Sequence, residues 1–127
     1  MSQAHENLVA WQRADDLCVL VYRLTREFLP REEQFGLSAQ LRRAAYSVPA
    51  NVVEGWAYHS STMRLKHVRI AVGSLAEVGY GLHLARRLGY LPEDQLNEIE
   101  PLVRKTAAPL HGLVAHLREE LGSQPGG

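Results

Sequence analysis

Cysteine is nearly absent from this 127-residue chain, and the lone Cys18 has no partner within it. No disulfide framework is therefore expected, and a reducing compartment, the cytoplasm, is the natural location. No charged and apolar leader follows Met1. Charge of a single sign is also missing: 14 basic and 14 acidic residues cancel, so the whole chain is neither a polycation nor a polyanion. No apolar run approaches the roughly 20 residues that span a bilayer, so no membrane association is expected. No segment alternates apolar and polar residues with β-branched enrichment, which argues against strands, and no internal repeat is evident.

The chemistry of common active sites is just as sparse. A Glu-x-x-His motif, as used by di-iron bundles, occurs nowhere in the chain. The six histidines, His5, His59, His67, His83, His111 and His116, contain no i, i+4 pair and read as surface residues rather than metal ligands. Gly79-Tyr80-Gly81 lies within a helical pattern and follows no strand, so it reads as close helix packing rather than a phosphate cradle. Cys18 falls on the apolar side of its helix with no cation to activate it, which suits inert burial. Trp11 and Trp56 read as packing or interface residues. No catalytic residue, metal or cofactor is assigned, and the chain is expected not to be an enzyme.

What is present is helical periodicity. From Leu8 to Leu29 apolar residues recur at Ala14, Leu17, Val21, Leu24 and Phe28, and Pro30 stops this first helix. An acidic linker, Arg31-Glu32-Glu33, leads to Gly36 and to Ser38, the expected N-cap of the second helix. Pro49 should bend that helix without ending it. His59-Ser60-Ser61-Thr62 offers a hydroxyl cap to a third helix that ends at Gly89. Its inner stripe is Leu65, Val68, Val72, Leu75, Gly79 and Leu82. Pro92 opens a fourth helix, with Glu93 and Asp94 near its positive end and Pro101 and Pro109 as expected bends or breaks. Residues 122–127, rich in Gly, Ser and Pro, read as a disordered tail behind a single domain of residues 1–121. The fold class is all-α, an antiparallel up-down-up-down four-helix bundle.

The second helix carries more specified faces than a bundle requires. Leu37, Leu41, Ala44, Val48, Val52 and Gly55 form the core stripe. Gln40, Arg43, Ser47, Asn51 and Glu54 form a polar line beside it, with Ser74 and Glu77 on the third helix as counterparts. Arg43 pairing with Glu54 or Glu77, and Asn51 with Ser74, would make a structural polar network that sets register or oligomer state. An acid/base cluster of Arg43, Glu54 and Glu77, or plain solvent exposure, is the alternative. The third face, Arg42, Tyr46, Pro49, Val53 and Trp56, is too apolar for water alone and is the candidate oligomer interface.

The third helix is locally basic: Lys66, Arg69, Gly73, Ala76, Tyr80, His83 and Arg87 share one face roughly 30 Å long. Cations with an aromatic along such a line suit phosphate contact and base stacking, so Lys66, Arg69, Tyr80, His83 and Arg87 are the candidate nucleic-acid contacts. A solvated face or a subunit contact is the competing interpretation.

Four segments carry a family resemblance: LVAWQRADDL (Leu8–Leu17), Phe35-Gly36-Leu37 after the acidic linker, SAQLRRAAYSVPANVVEG (Ser38–Gly55), and IAVGSLAEV (Ile70–Val78). Together they resemble the four-helix-bundle proteins encoded in intervening sequences of bacterial 23S ribosomal RNA genes. The resemblance implies a bundle that assembles as a ring-shaped homopentamer. It also implies similarity to the accessory variability determinant of diversity-generating retroelements, which binds nucleic acid and a reverse transcriptase. That relative is strongly basic, whereas this chain is neutral overall. The expected partners are further copies of the chain and either nucleic acid or a nucleic-acid-processing protein. A purely protein-binding ring without nucleic-acid affinity is the alternative.

Overall fold

The computed structural model describes residues 4–123. A short 3-10 turn at Ala4–Asn7 precedes helix α1 (Val9–Phe28), and a second at Arg31–Glu33 precedes α2 (Leu37–Ala57). Helices α3 (Ser61–Arg87) and α4 (Glu93–Ser123) follow, and no strand occurs among the described residues. Only Tyr58 to Ser60 join α2 to α3, and Leu88 to Pro92 join α3 to α4. Such links are too short to run back along a helix of 27 or 31 residues, so sequential helices are antiparallel. Contacts join α1–α2, α2–α3, α3–α4 and α1–α4, with α2–α3 the most extensive, which is a four-cornered bundle. No helix among the described residues is long and apolar enough to cross a membrane.

The stripes meet as their periodicity requires. Leu17 and Val21 of α1, Leu41, Val48 and Val52 of α2, Val68 and Val78 of α3, and Leu96, Ile99, Leu110 and Leu117 of α4 are fully buried. Removing such side chains from water is the main force holding the helices together. Two glycines let α2 and α3 approach closely: a Cβ on Gly81 would stand 2.5 Å from Leu41 Cδ2, and one on Gly55 would stand 3.1 Å from His67 Cβ. Gly79, by contrast, has no atom within 4 Å of its Cβ position, so close packing explains only the second glycine of Gly79-Tyr80-Gly81.

Helix ends follow local chemistry, with one correction. Ser60 caps α3 by accepting from the Met63 N–H at 3.2 Å, and Gly89 closes α3 with φ of 75°, a left-handed conformation that glycine adopts without strain. Ser38 does not cap α2; it is buried inside the helix, which begins at Leu37. The cap comes from Glu33, whose Oε1 accepts from the Leu37 N–H at 3.0 Å while Oε2 accepts from the Tyr90 hydroxyl at 2.9 Å. One carboxylate thus holds the start of α2 against the turn between α3 and α4.

These two bonds hold the Glu33 carboxyl below its usual range, the backbone bond being the larger cause, and the same contact raises the Tyr90 phenol. A depressed folded-state value means stabilisation that is complete above the ordinary carboxylate value of about 4.3 and lost as pH falls through the folded value. Glu33→Gln is therefore expected to melt below the parent at pH 7, with the two melting points converging below about pH 4. Melting curves by circular dichroism across that range check it; a constant gap at all pH values refutes it.

Helix α4 is continuous through Pro101 and Pro109 rather than broken. Each proline removes one backbone bond, while buried Leu96, Ile99, Leu110 and Leu117 on both sides anchor the segment to the core. Two residues of the segment expected to be disordered are helical: Gly122 and Ser123 belong to α4, and the Ser123 hydroxyl donates to the Glu120 carbonyl at 3.1 Å. The rest of that segment, 124–127, lies outside the described residues.

Candidate functional site

Three surfaces converge on α2 and α3. The first is the polar seam between them. Ser74 Oγ donates to Ser47 Oγ at 2.7 Å, and Asn51 Nδ2 donates to Ser47 Oγ at 3.0 Å and to the Ser47 carbonyl at 2.8 Å. Asn51 Oδ1 lies 3.0 Å from His67 Nδ1. A carbonyl oxygen can only accept, so His67 carries its proton on Nδ1. Glu54 Oε2 stands 3.9 Å from the same nitrogen, and the Tyr58 ring lies parallel to the imidazole with centroids 6.3 Å apart.

The seam brings together Ser47, Asn51, Glu54 and Ser74, and leaves out Gln40, Arg43 and Glu77, which are exposed. Arg43 bonds to Gln40 one turn away, and among the described residues it pairs with neither Glu54 nor Glu77. The physical reason is position: Arg43 opens onto solvent, where a neighbouring amide on its own helix is the nearest acceptor. Asn51 bonds to Ser47 and His67, while Ser74 takes Ser47 as its partner. His67, read from the sequence as a surface residue, is buried and donates into the seam from α3. It lies seven residues before Ser74, two helical turns along the same face, which is the signal that locates it.

The second surface lies between α1 and α2. Tyr46 and Val53 are exposed, Arg42 and Trp56 are half-buried, and Pro49 is buried at the floor of a groove of about 340 Å³ walled by Cys18, Tyr46 and Val53. Trp56 does not join this face outward; the Arg64 guanidinium lies over its ring at 5.0 Å. Arg42 is fixed: its Nε donates to Thr25 Oγ1 at 2.8 Å, and its guanidinium lies 5.1 Å over the Tyr22 ring. Thr25 in turn donates to the Val21 carbonyl at 2.9 Å, so α1 and α2 are locked by a chain of bonds the sequence reading missed. Burial, with Asp15 adding to it, pushes the Cys18 thiol up, so it is a poor nucleophile.

Basic residues of α3 make the third surface. Lys66, Arg69, Tyr80, His83 and Arg87 are all exposed, and none forms an ion pair among the described residues. The Tyr80 and His83 rings lie 6.2 Å apart. Open grooves flank the middle of this face. One, about 560 Å³, runs against α2 past Leu37, Leu41, Ala76 and Tyr80; the other, about 400 Å³, runs against α4 past Val72, Gly79, Val103 and Ala107. Among the described residues no group of three His, Cys, Asp or Glu side chains is placed to hold a metal ion.

With this geometry in hand, similarity to other proteins is informative. The family model of 23S rRNA-intervening sequence proteins matches residues 6–112. A crystal structure of a protein of unknown function from the S23 ribosomal protein family, from Bacteroides thetaiotaomicron, superposes with a TM-score of 0.77 at 21% sequence identity. The match covers 84% of this chain and 96% of that one, and at this identity it establishes the fold alone. No curated protein matches.

Proposed function

The chain belongs to the 23S rRNA-intervening sequence protein family, and on that premise we propose that it is a non-enzymatic, cytoplasmic, homo-oligomeric scaffold that engages nucleic acid or a nucleoprotein. The supporting observation is the exposed face of α3, where three cations, an aromatic and a histidine form no ion pair among the described residues. Such a face neutralises phosphates and stacks bases. Repetition of a weak patch around a ring multiplies its avidity.

Assembly is supported by two unlike apolar surfaces on one protomer, the α1–α2 groove with Tyr46 and Val53 and the grooves flanking α3. Unlike surfaces make head-to-tail contacts, which close into rings when the rotation per copy divides a full turn. A homopentamer is the size we propose. Tyr46→Glu and Val53→Glu each place a charge on an exposed apolar site and are expected to shift the protein toward monomer in native mass spectrometry. Helical circular dichroism should persist; equal loss of both signals would instead place these residues in the fold itself.

A titration of fluorescent single-stranded RNA and DNA at several salt concentrations tests the binding proposal. Affinity is expected to fall steeply with salt, and Arg69→Ala or Arg87→Ala to weaken it and reduce the salt slope by about one phosphate contact each. Absence of binding at low salt sinks it. The small residues Gly73, Ala76 and Gly79, set between two apolar grooves, favour a second reading, a protein-binding ring with no nucleic-acid affinity. A protein that forms oligomers yet leaves both nucleic acids free in that titration would support it.

A further inference from the structure

Phe35 is 89% exposed, far more than any other large apolar side chain among the described residues. It lies in the turn between α1 and α2, three residues after the exposed Glu32, and that turn is held firmly by the Glu33 bonds to Leu37 and Tyr90. A rigid, wholly exposed ring is an unfavourable way to leave a turn unless something covers it.

An open groove of about 670 Å³ lies between α1 and α2. Cys18, Val19 and Tyr22 form its apolar wall, and Arg23, Arg26 and Arg42 converge on it. None of these arginines forms an ion pair with a carboxylate among the described residues. Arg42 is locked in place by Thr25 and Tyr22, which leaves most of its five N–H donors without a protein acceptor. The groove therefore presents a ring-sized apolar wall beside three cations, of which Arg42 is held in place, the complement of a carboxylate followed by an aromatic.

We propose that the Phe35 turn of one copy seats in the Arg23–Arg26–Arg42 groove of the next, Phe35 against Tyr22 and Val19 and Glu32 against the arginines. This rests on the self-association proposed above and names the contact that carries it. Arg23 and Arg42 each lie five residues from the helix end nearest the turn, about 8 Å along the bundle. Rotation about an axis parallel to the helices would keep that offset between knob and groove, so the contact calls for a ring axis inclined to the bundle. A polyanion fits less well, because Asp15 lines the same groove and would oppose a strand running along it.

The test uses the full chain. Native mass spectrometry is expected to show an oligomer for the parent protein. Phe35→Ser and Arg26→Glu, both at exposed positions, should each raise the concentration needed for assembly by about tenfold or more with unchanged helical circular dichroism. In a Cys18→Ser background, a mixture of copies carrying Arg23→Cys with mass-tagged copies carrying Phe35→Cys should form the mixed disulfide in preference to either symmetric one. An oligomer that ignores Phe35→Ser and gives no preferred mixed disulfide overturns this contact while leaving self-association intact; a monomeric parent at micromolar concentration overturns both. Loss of nucleic-acid binding by Arg26→Glu with assembly unchanged would assign the groove to nucleic acid and overturn the proposal.

Discussion

Gly81→Val is expected to lower stability by about 3 kcal/mol or more, the upper end of what overpacking a core costs, and to drop the melting point by about 10 °C at fixed protein concentration. A Cβ there would stand 2.5 Å from Leu41 Cδ2 and 2.9 Å from its Cγ. Leu41 is itself 2% exposed, so it can make room only by giving up its packed position for the open groove beside it. Either the side chain leaves its rotamer or α2 moves off α3, and both disturb the largest helix contact in the bundle. The same helix supplies its own control: the Cβ position of Gly73 meets nothing within 4 Å, and the residue is exposed. Gly73→Ala should therefore gain up to about 1 kcal/mol from helix propensity alone. Opposite signs at two glycines two turns apart would separate contact from propensity, whereas similar effects would show that neither matters. Trimming the neighbour checks the cause, because Leu41→Ala combined with Gly81→Val should cost less than the sum of the two single changes.

Asn51→Leu is expected to cost about 2 kcal/mol or more, since each polar group left buried without a partner costs about 1–3 kcal/mol. Asn51 bonds both Ser47 on its own helix and His67 on α3. Its loss strands the His67 Nδ1 proton at a side chain that is 8% exposed, with Glu54 too far at 3.9 Å for a good hydrogen bond. Replacing both residues, Asn51→Leu with His67→Leu, should recover part of the loss, because no donor then remains unpaired. Denaturant unfolding of the three variants measures this. If Asn51→Leu alone is neutral, the seam is not a structural network. Glu54→Gln, at a side chain 59% exposed, should change stability by less than about 0.5 kcal/mol.

Much of the fold is legible from spacing. Helix periodicity depends only on which residues are apolar and how far apart they stand, so the four helices, the core stripes and the Ser60 and Gly89 ends follow from the chain read alone. The same holds for the family, since matched motifs need no coordinates. Which polar side chain bonds to which is a different kind of information. A line of polar residues on α2 is visible in sequence, but whether Asn51 meets Ser74 or His67 depends on the rotation and height of α3 against α2. Gly55 and Gly81 set that by letting the backbones close up. Capping of α2 by Glu33 rather than Ser38 likewise needed the turn before α4, brought in by Tyr90 from 57 residues away. The sequence by itself determined the helices, their inward faces and the excess of apolar surface on α2. Only the tertiary structure decided that Arg42 locks to Thr25 and that three arginines converge beside Tyr22, leaving Phe35 uncovered. Periodicity places a residue on a helix, but contact between helices is settled by packing across the whole bundle.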